Sequence, residues 1–446
     1  MRAIGRLLIV VALCCFAGEV SAQQGNCVFG LESWAGYTSN GTVPFWLRSN
    51  QYGSVPLDGA SLSLVGSARK DYDPGKEKLF DWGASFEGRA NLGQGSNLTF
   101  VEGYGKVRLG IFELRAGRSK KITGLCDTTL SSGSWAISCT NLGIPEVELS
   151  VCDYWTVPIL GQLFAFKGNF SHGWMGAASM NQYWEDDTIS LATYLHQKSF
   201  YGRFGKQTWK LMLYGGFNHQ VIWSNGLDYY SDDFTLTMPQ NYLYVITGKR
   251  FSNGDIQSER LGNHSGSIDI GFEFEFKRVK VFLYRQNFYE AGALAHFANI
   301  QDGLNGLRLE NMQATNDLVF WRRILFEVLY TKNQAGEPWS PPTPTQCENY
   351  YNHGQYFNGW SYQGNSLGTP LITVRNDARE DLPSHPRDYF INNRLLAFHF
   401  GSEGSVHGYG YVVRASWSKN FGTYRTTDEE QSTGITDAGD YGIFNV

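Results

Sequence analysis

The stretch Phe80-Asp81-Trp82-Gly83-Ala84-Ser85-Phe86-Glu87-Gly88-Arg89-Ala90-Asn91-Leu92 decides the fold. Phe80, Trp82, Ala84, Phe86, Ala90 and Leu92 alternate with Asp81, Ser85, Glu87, Arg89 and Asn91. Successive side chains of a strand leave opposite faces of its sheet, so this is a strand with one apolar, aromatic face and one ionised face. The pattern returns. Ile268, Ile270, Phe272, Phe274 and Phe276 oppose Asp269, Glu273, Glu275 and Lys277, and Tyr409, Tyr411, Val413, Ala415, Trp417 and Phe421 oppose Arg414, Ser416, Ser418 and Asn420. Weaker runs fall at 98–109, 112–118, 163–170, 209–217, 281–286, 318–330 and 395–400. No long amphipathic helix competes with them.

A sheet packed on a soluble core also alternates. Length and tone separate the two cases. Runs of about 9–13 residues suit a tilted membrane-spanning strand, ionised groups suit a wet lumen, and Phe, Tyr and Trp suit a lipid-facing wall with aromatic girdles. The expected fold is therefore all-β, a transmembrane outer-membrane antiparallel β-barrel. At roughly 22 residues per strand and connection, the chain holds about 18 to 20 strands.

Composition agrees. Aromatic residues make up 15% of the chain, Gly 51 of 446 residues, and charged residues only 18%, against about 25% in soluble domains. The formal net charge of −5 excludes a strongly basic nucleic-acid binder. Arg2 and Arg6, the apolar run Leu7 to Ala17 and the small residues Val20-Ser21-Ala22 read as a secretory signal at 1–22, cleaved before Gln23. That run is too short to cross a bilayer core of about 30 Å.

The remainder, 23–446, reads as one domain. Residues 23–73 alternate poorly and are expected to plug or cap the barrel. Long connections run from Thr123 to Pro158, from Asn225 to Gln240 and, longest, from Lys332 to Asn393. The last holds Pro338, Pro341, Pro342, Pro344, Pro370, Pro383 and Pro386, which excludes a central strand. Long loops of such barrels face the exterior, so 332–393 is expected to be an extracellular loop. The chain ends in a polar stretch, Thr426 to Gly439, and then Phe444-Asn445-Val446. Final strands of bacterial barrels usually end on an aromatic residue, so further C-terminal strands are expected in a full-length relative.

Catalytic and metal motifs are weak. Gly364-Asn365-Ser366-Leu367-Gly368 matches G-x-S-x-G but lacks the flanking strand and helix of a nucleophile elbow. Nine histidines include no H-E-x-x-H pair. Glu185-Asp186-Asp187 and Asp232-Asp233 read as solvated acidic runs. No enzyme, cofactor or metal is expected. Five cysteines follow the signal: Cys27, Cys126, Cys139, Cys152 and Cys347. Cys126 and Cys139 are placed to pair across one loop; five unrelated thiols are the other reading.

Several stretches together resemble the capsule assembly protein Wzi family, of the Bacteroidetes type. They include Pro44-Phe45-Trp46-Leu47-Arg48-Ser49-Asn50-Gln51-Tyr52-Gly53, Leu130-Ser131-Ser132-Gly133-Ser134 and Tyr214-Gly215-Gly216-Phe217-Asn218-His219-Gln220. Leu283-Tyr284-Arg285-Gln286-Asn287, Asn299-Ile300-Gln301-Asp302-Gly303-Leu304-Asn305-Gly306 and Gly359-Trp360-Ser361-Tyr362 also match. The resemblance spans residues 34 to 424. It implies a barrel of about 18 strands, a helical plug on the periplasmic side, and a part in attaching or assembling capsular polysaccharide, with other capsule export components as partners.

Sugar rings present apolar faces and polar rims, which aromatic side chains with polar tips suit. Trp339, Tyr350, Tyr351, Trp360 and Tyr362 in the long loop are the candidate polysaccharide-binding residues. Arg285, Gln286, Asn287, Gln301 and Asp302 are the candidate polar network of the lumen, bracing a plug or lining a path. The rival function is an outer-membrane channel for small solutes or oligosaccharides.

Overall fold

The computed structural model describes residues 18–426, apart from 25, 37–42, 57–59, 74–77, 94–95, 182–187, 227–232, 255, 314–317 and 337–347. Its body is one sixteen-stranded sheet in which each strand pairs with the next along the chain. Every pairing is antiparallel, as in Phe80–Gly93 with Asn97–Leu109 or Leu395–Val406 with Tyr409–Asn420. The end strands are Gly18–Gln24 and Tyr409–Asn420. Gly18–Gln24 straddles the expected cleavage point, so removal of 1–22 leaves only two of its residues.

The alternation read from the sequence is the geometry of the wall. Phe80, Trp82, Phe86 and Leu92 are exposed, whereas Asp81, Arg89 and Asn91 are buried. Ile268, Ile270, Phe272 and Phe274 are exposed, and Ser267 and Asp269 between them are buried. A soluble protein cannot leave such a continuous apolar, aromatic face in water. Facing lipid, that surface is the stable choice, and the ladders between neighbouring strands pair their backbone groups. The chain is an outer-membrane β-barrel.

The strand connections are strongly asymmetric. At one end they span 110–111, 157–163, 205–210, 276–278 and 407–408. At the other most are long, spanning 37–60, 119–144, 225–262, 290–302 and 331–394, with short ones at 94–96 and 182–187. Long loops mark the extracellular end of such a barrel and short turns the periplasmic end.

Two of the longest loops turn inward and one turns outward. Residues 225–262 hold the helix Met238–Thr247 and a hairpin of Arg250–Asn253 with Ile256–Arg260. Thr237 and Gln240 cap the helix start reciprocally, and Gly248, at φ 64°, ends it. Phe234, Val245, Phe251 and Leu261 pack on Val221 and Trp223 of the wall. Val221 and Trp223 continue the outward face of Leu211, Leu213 and Phe217, so this lobe covers the wall's exterior where the strand rises past the exposed apolar band.

Residues 23–73 are not all plug: only 44–56 among them turns into the lumen. They supply the wall strands Cys27–Gly36 and Ser61–Lys70. Between these strands, the only helix described is one turn, Phe45–Arg48.

Candidate functional site: a lumen sealed by its own loops

The interior of the curled sheet is filled by three segments: 44–56, 119–144 and 348–394. The middle one touches wall strands from the fourth to the sixteenth. Lys121 lies between Glu146, at 2.8 Å, and Glu148. The Leu125 amide donates to Asp269 at 2.8 Å, and the Trp135 amide to Gln286 at 3.1 Å. His399 shares a hydrogen with the Leu130 carbonyl at 2.7 Å, and Arg414 donates to the Thr129 carbonyl. Glu327 is the densest anchor. It accepts from the Ser131 hydroxyl at 2.8 Å, from the Ser132 amide and hydroxyl at 2.7 Å each, and from the Tyr284 hydroxyl. These partners lie around most of the wall, so the segment is tied on many sides.

The other two segments close on the first. Asn50 donates to the Ser131 carbonyl at 3.2 Å, and the Tyr52 amide to the Cys139 carbonyl at 2.6 Å. Ser54 accepts from Arg89 of the wall at 2.9 Å. Trp135, itself buried, stacks on Phe288 at 4.0 Å and meets Tyr350 edge-on at 4.7 Å. The Trp360 indole donates to the Ala136 carbonyl at 2.7 Å, and the Tyr351 hydroxyl donates to the Trp135 carbonyl. A continuous apolar core runs from Leu125 and Leu130 through Trp135 to Leu367, Phe390 and Leu395. A barrel this wide cannot be filled by its wall side chains alone; here the loops fill it at the long-loop end.

Toward the short-turn end the inner face is charged and partly open. Lys106, Arg108, Arg115, Glu273 and Arg308 are half-buried there. Asp127, at the lower edge of the plug, faces Arg323 at 3.6 Å and Arg308 at 3.7 Å. It also accepts the Thr129 and Leu130 amides at 2.9 and 2.7 Å. The inner face is thus charged at the short-turn end and covered by packed loop segments at the other.

The plug buries ionisable groups. Burial pushes the Asp302 carboxyl up to about 6, against donation from Tyr350 and the Gln334 and Asn333 amides. Those bonds measure 2.8, 2.7 and 3.0 Å. Burial likewise raises Glu348, although the Ala291, Gly292 and Ala293 amides donate to it. Burial drives His353 down to about 4. For Lys121 burial works against the charge, but Glu146 and Glu148 hold the ammonium above the ordinary lysine range.

The expected sugar-binding aromatics do not reach the surface. Tyr350, Tyr351, Trp360 and Tyr362 are all buried in the plug; Trp339 lies outside the described residues. The described part of 332–393 is a folded core element, because its apolar side chains find a better partner in Trp135 and Phe288 than in water. The expected polar network divides. Gln286 and Asp302 are fully buried and hold the plug. Arg285 and Asn287 lie on the opposite face of their strand from Gln286, with exposed Leu283, so they point away from the lumen. Gln301 is exposed in a loop.

Ser366 of the G-x-S-x-G match is buried in a two-residue hairpin strand, its hydroxyl 3.4 Å from the Thr369 carbonyl. Cys126 and Cys139 are separate free thiols. Among the described residues no three His, Cys, Asp or Glu side chains group as metal ligands. Sequence reasoning missed Glu327, Asp127, Glu348 and Trp135. Glu327 was findable, since it shares the inward register of Leu325 and Leu329 in an otherwise apolar run.

No family model and no curated protein matches the chain. Solved structures do. The anion-selective porin from Comamonas acidovorans is 10% identical, with TM-score 0.37 over 92% of this chain and 93% of that one. Pseudomonas aeruginosa OccD3 is 8% identical, with TM-score 0.35 over 92% and 90%. Pseudomonas aeruginosa OprD is 9% identical, with TM-score 0.35 over 81% and 85%. Likeness at this level says nothing about what the lumen admits.

Proposed function

We propose that this protein is a sealed outer-membrane barrel that serves the assembly or attachment of capsular polysaccharide at the cell surface, and that it is not an enzyme. The observation that carries the reading is the seal. Three chain segments, anchored to many wall strands and sharing an apolar core, occupy the extracellular half of the lumen. An open diffusion pore needs a water-filled passage there. A surface anchor needs a rigid platform instead, and long loops knitted into one body provide it. The capsule rests on the sequence resemblance, and the motifs carrying it coincide with the seal: Asn50, Tyr52, Ser131, Ser132 and Trp360 are among its contacts. Polymer contact then falls to the exposed outer surface of the loops, where many weak sites along one chain suffice. Other capsule export components are the expected protein partners.

A second reading, a gated channel for small solutes or oligosaccharides, is favoured by the charged vestibule below the plug. Gene deletion with complementation and planar-bilayer recording separate the two. Capsule shed into the medium on deletion, restored by the wild-type gene, with negligible conductance of the purified barrel, supports the first. Steady conductance with unchanged capsule retention overturns it in favour of the channel.

A further inference from the structure

On the outer wall, four neighbouring strands set two side-chain rows one above the other. In the lower row Phe272 pairs with Leu283, Leu283 with Leu307, and Leu307 with Phe326. In the row above, two residues nearer the extracellular end, Ile270 pairs with Arg285, Arg285 with Asn305, and Asn305 with Val328. Directly paired residues share a face, and Phe272, Leu283 and Phe326 are exposed. The wall therefore passes from wholly apolar to cationic within one step along the strands. These eight side chains line a groove of about 440 Å³, within the usual range for a ligand site of about 300–1,000 Å³.

Arg285 is held in place by neutral acceptors, with the buried Asp302 carboxylate as the one anion acting on it among the described residues. Its guanidinium donates to the Asn287 and Asn305 amide oxygens at 2.7 Å each, to the Asp302 carbonyl at 3.0 Å and to the Ile300 carbonyl. All four acceptors are neutral. A guanidinium has five N–H groups, so one is left over, and the bond to Asn305 leaves the amide nitrogen of Asn305 as a second donor at the same rim. The loop above carries Phe297, 71% exposed, and Ile300, 41% exposed, as a segment resting at the lipid interface does. A fixed cation that faces lipid is costly without an anionic partner, and such residues mark binding positions.

We propose that this groove binds one anionic lipid of the outer leaflet, an acyl chain lying along Leu283 and Leu307 and the headgroup phosphate on Arg285. The wall already faces lipid whether the lumen serves capsule or solutes, so this site does not depend on that choice.

The test uses the full chain in mixed micelles containing phosphatidylglycerol and phosphatidylcholine in equal amounts, with retained lipid counted by native mass spectrometry. Wild type should keep phosphatidylglycerol about fivefold over phosphatidylcholine, the factor that one arginine near a charged membrane surface confers. Arg285→Gln should lose the preference and still keep lipid. Leu307→Trp, which fills the groove, should lose both. Inorganic phosphate should not displace the lipid, because it lacks the chain; displacement would assign the site to a free anion and overturn the lipid. Heat-modifiable migration confirms that each variant is folded. No preference in wild type, or full retention in folded Leu307→Trp, overturns the proposal.

Discussion

Replacing Glu327 by Ala should unlock the lumen while leaving the wall intact. Glu327 accepts four hydrogen bonds, three from the Ser131-Ser132 turn and one from Tyr284. A bond to a charged acceptor contributes about 1.5–3 kcal/mol. Four donors sharing one carboxylate are not additive, so the sum overstates the loss. Removal strands four buried donors next to His399 and Leu130, and a cost of about 3–5 kcal/mol is the reasonable figure for breaking such an anchor. Every 1.4 kcal/mol is a factor of ten, so the released population should rise by roughly 10² to 4 × 10³. Glu327→Gln keeps the shape and one acceptor oxygen, and should cost less, about 1–3 kcal/mol. Two assays read the outcome on protein that still shows heat-modifiable migration. Single-channel recording should show openings in Glu327→Ala that wild type lacks, and trypsin should cut after Lys120 or Lys121 at a rate scaling with release. A folded Glu327→Ala barrel with neither openings nor faster cleavage would refute the claim that this carboxylate holds the seal.

Three further outcomes are expected. Leu243, 59% exposed on the outer lobe, should accept a membrane-impermeant maleimide on intact cells once changed to Cys, with the parent chain as background; no added labelling would place the long-loop end in the periplasm. Asp302 is held near pH 6 when folded against 3.8 for the ordinary group, so it favours the closed plug most below about pH 4 and loses that contribution as pH rises to about 6, a span of about 3 kcal/mol. His353, held neutral by burial, works the other way, so the comparison between variants carries the test: from pH 5 to pH 7 the wild type should lose hydrogen-exchange protection of 331–394, corrected for intrinsic rate, relative to Asp302→Asn. Intact mass of the exported protein should place its first residue at Gln23; a start upstream of Gly18 would keep the strand Gly18–Gln24 whole.

The outside of this barrel was legible and most of its inside was not. Phe80 to Leu92 and Ile268 to Phe274 are read correctly because lipid imposes one rule on every outward residue of a strand. The count of about 18 to 20 strands, which rested on mean connection length, overshoots the sixteen of the sheet. The inside obeys no periodic rule. Lys121, Asp127, Trp135, Tyr350 and Trp360 come from irregular segments far apart in sequence, and nothing local to 119–144 says that Glu327 and Gln286 are its partners. Arg285 shows the remaining error. Adjacent residues of a strand point oppositely, so Arg285 and Gln286 could not both have lined the lumen, and only the inward register of Tyr284 and Phe288 tells which one does.

The aromatic residues of the long loop explain why composition alone misplaces a sugar site. A tyrosine or tryptophan that holds a saccharide must keep a ring face bare and a polar tip free for the ligand. In this loop both are spent internally. The Trp360 indole is committed to the Ala136 carbonyl, the Tyr351 hydroxyl to the Trp135 carbonyl and the Tyr350 hydroxyl to Asp302. The Tyr350 and Tyr351 rings close on Trp135, Phe288 and Phe390. A buried hydroxyl or indole without a partner costs about 1–3 kcal/mol, so the polar tips fix which carbonyl each ring must sit beside. The rings supply cohesion and the tips supply register, which is how proline-rich loops of this length adopt one packed arrangement inside a wide barrel. Any polymer contact must therefore be sought on the outward surface of these loops, and changing Trp360 would alter it only by loosening the body underneath.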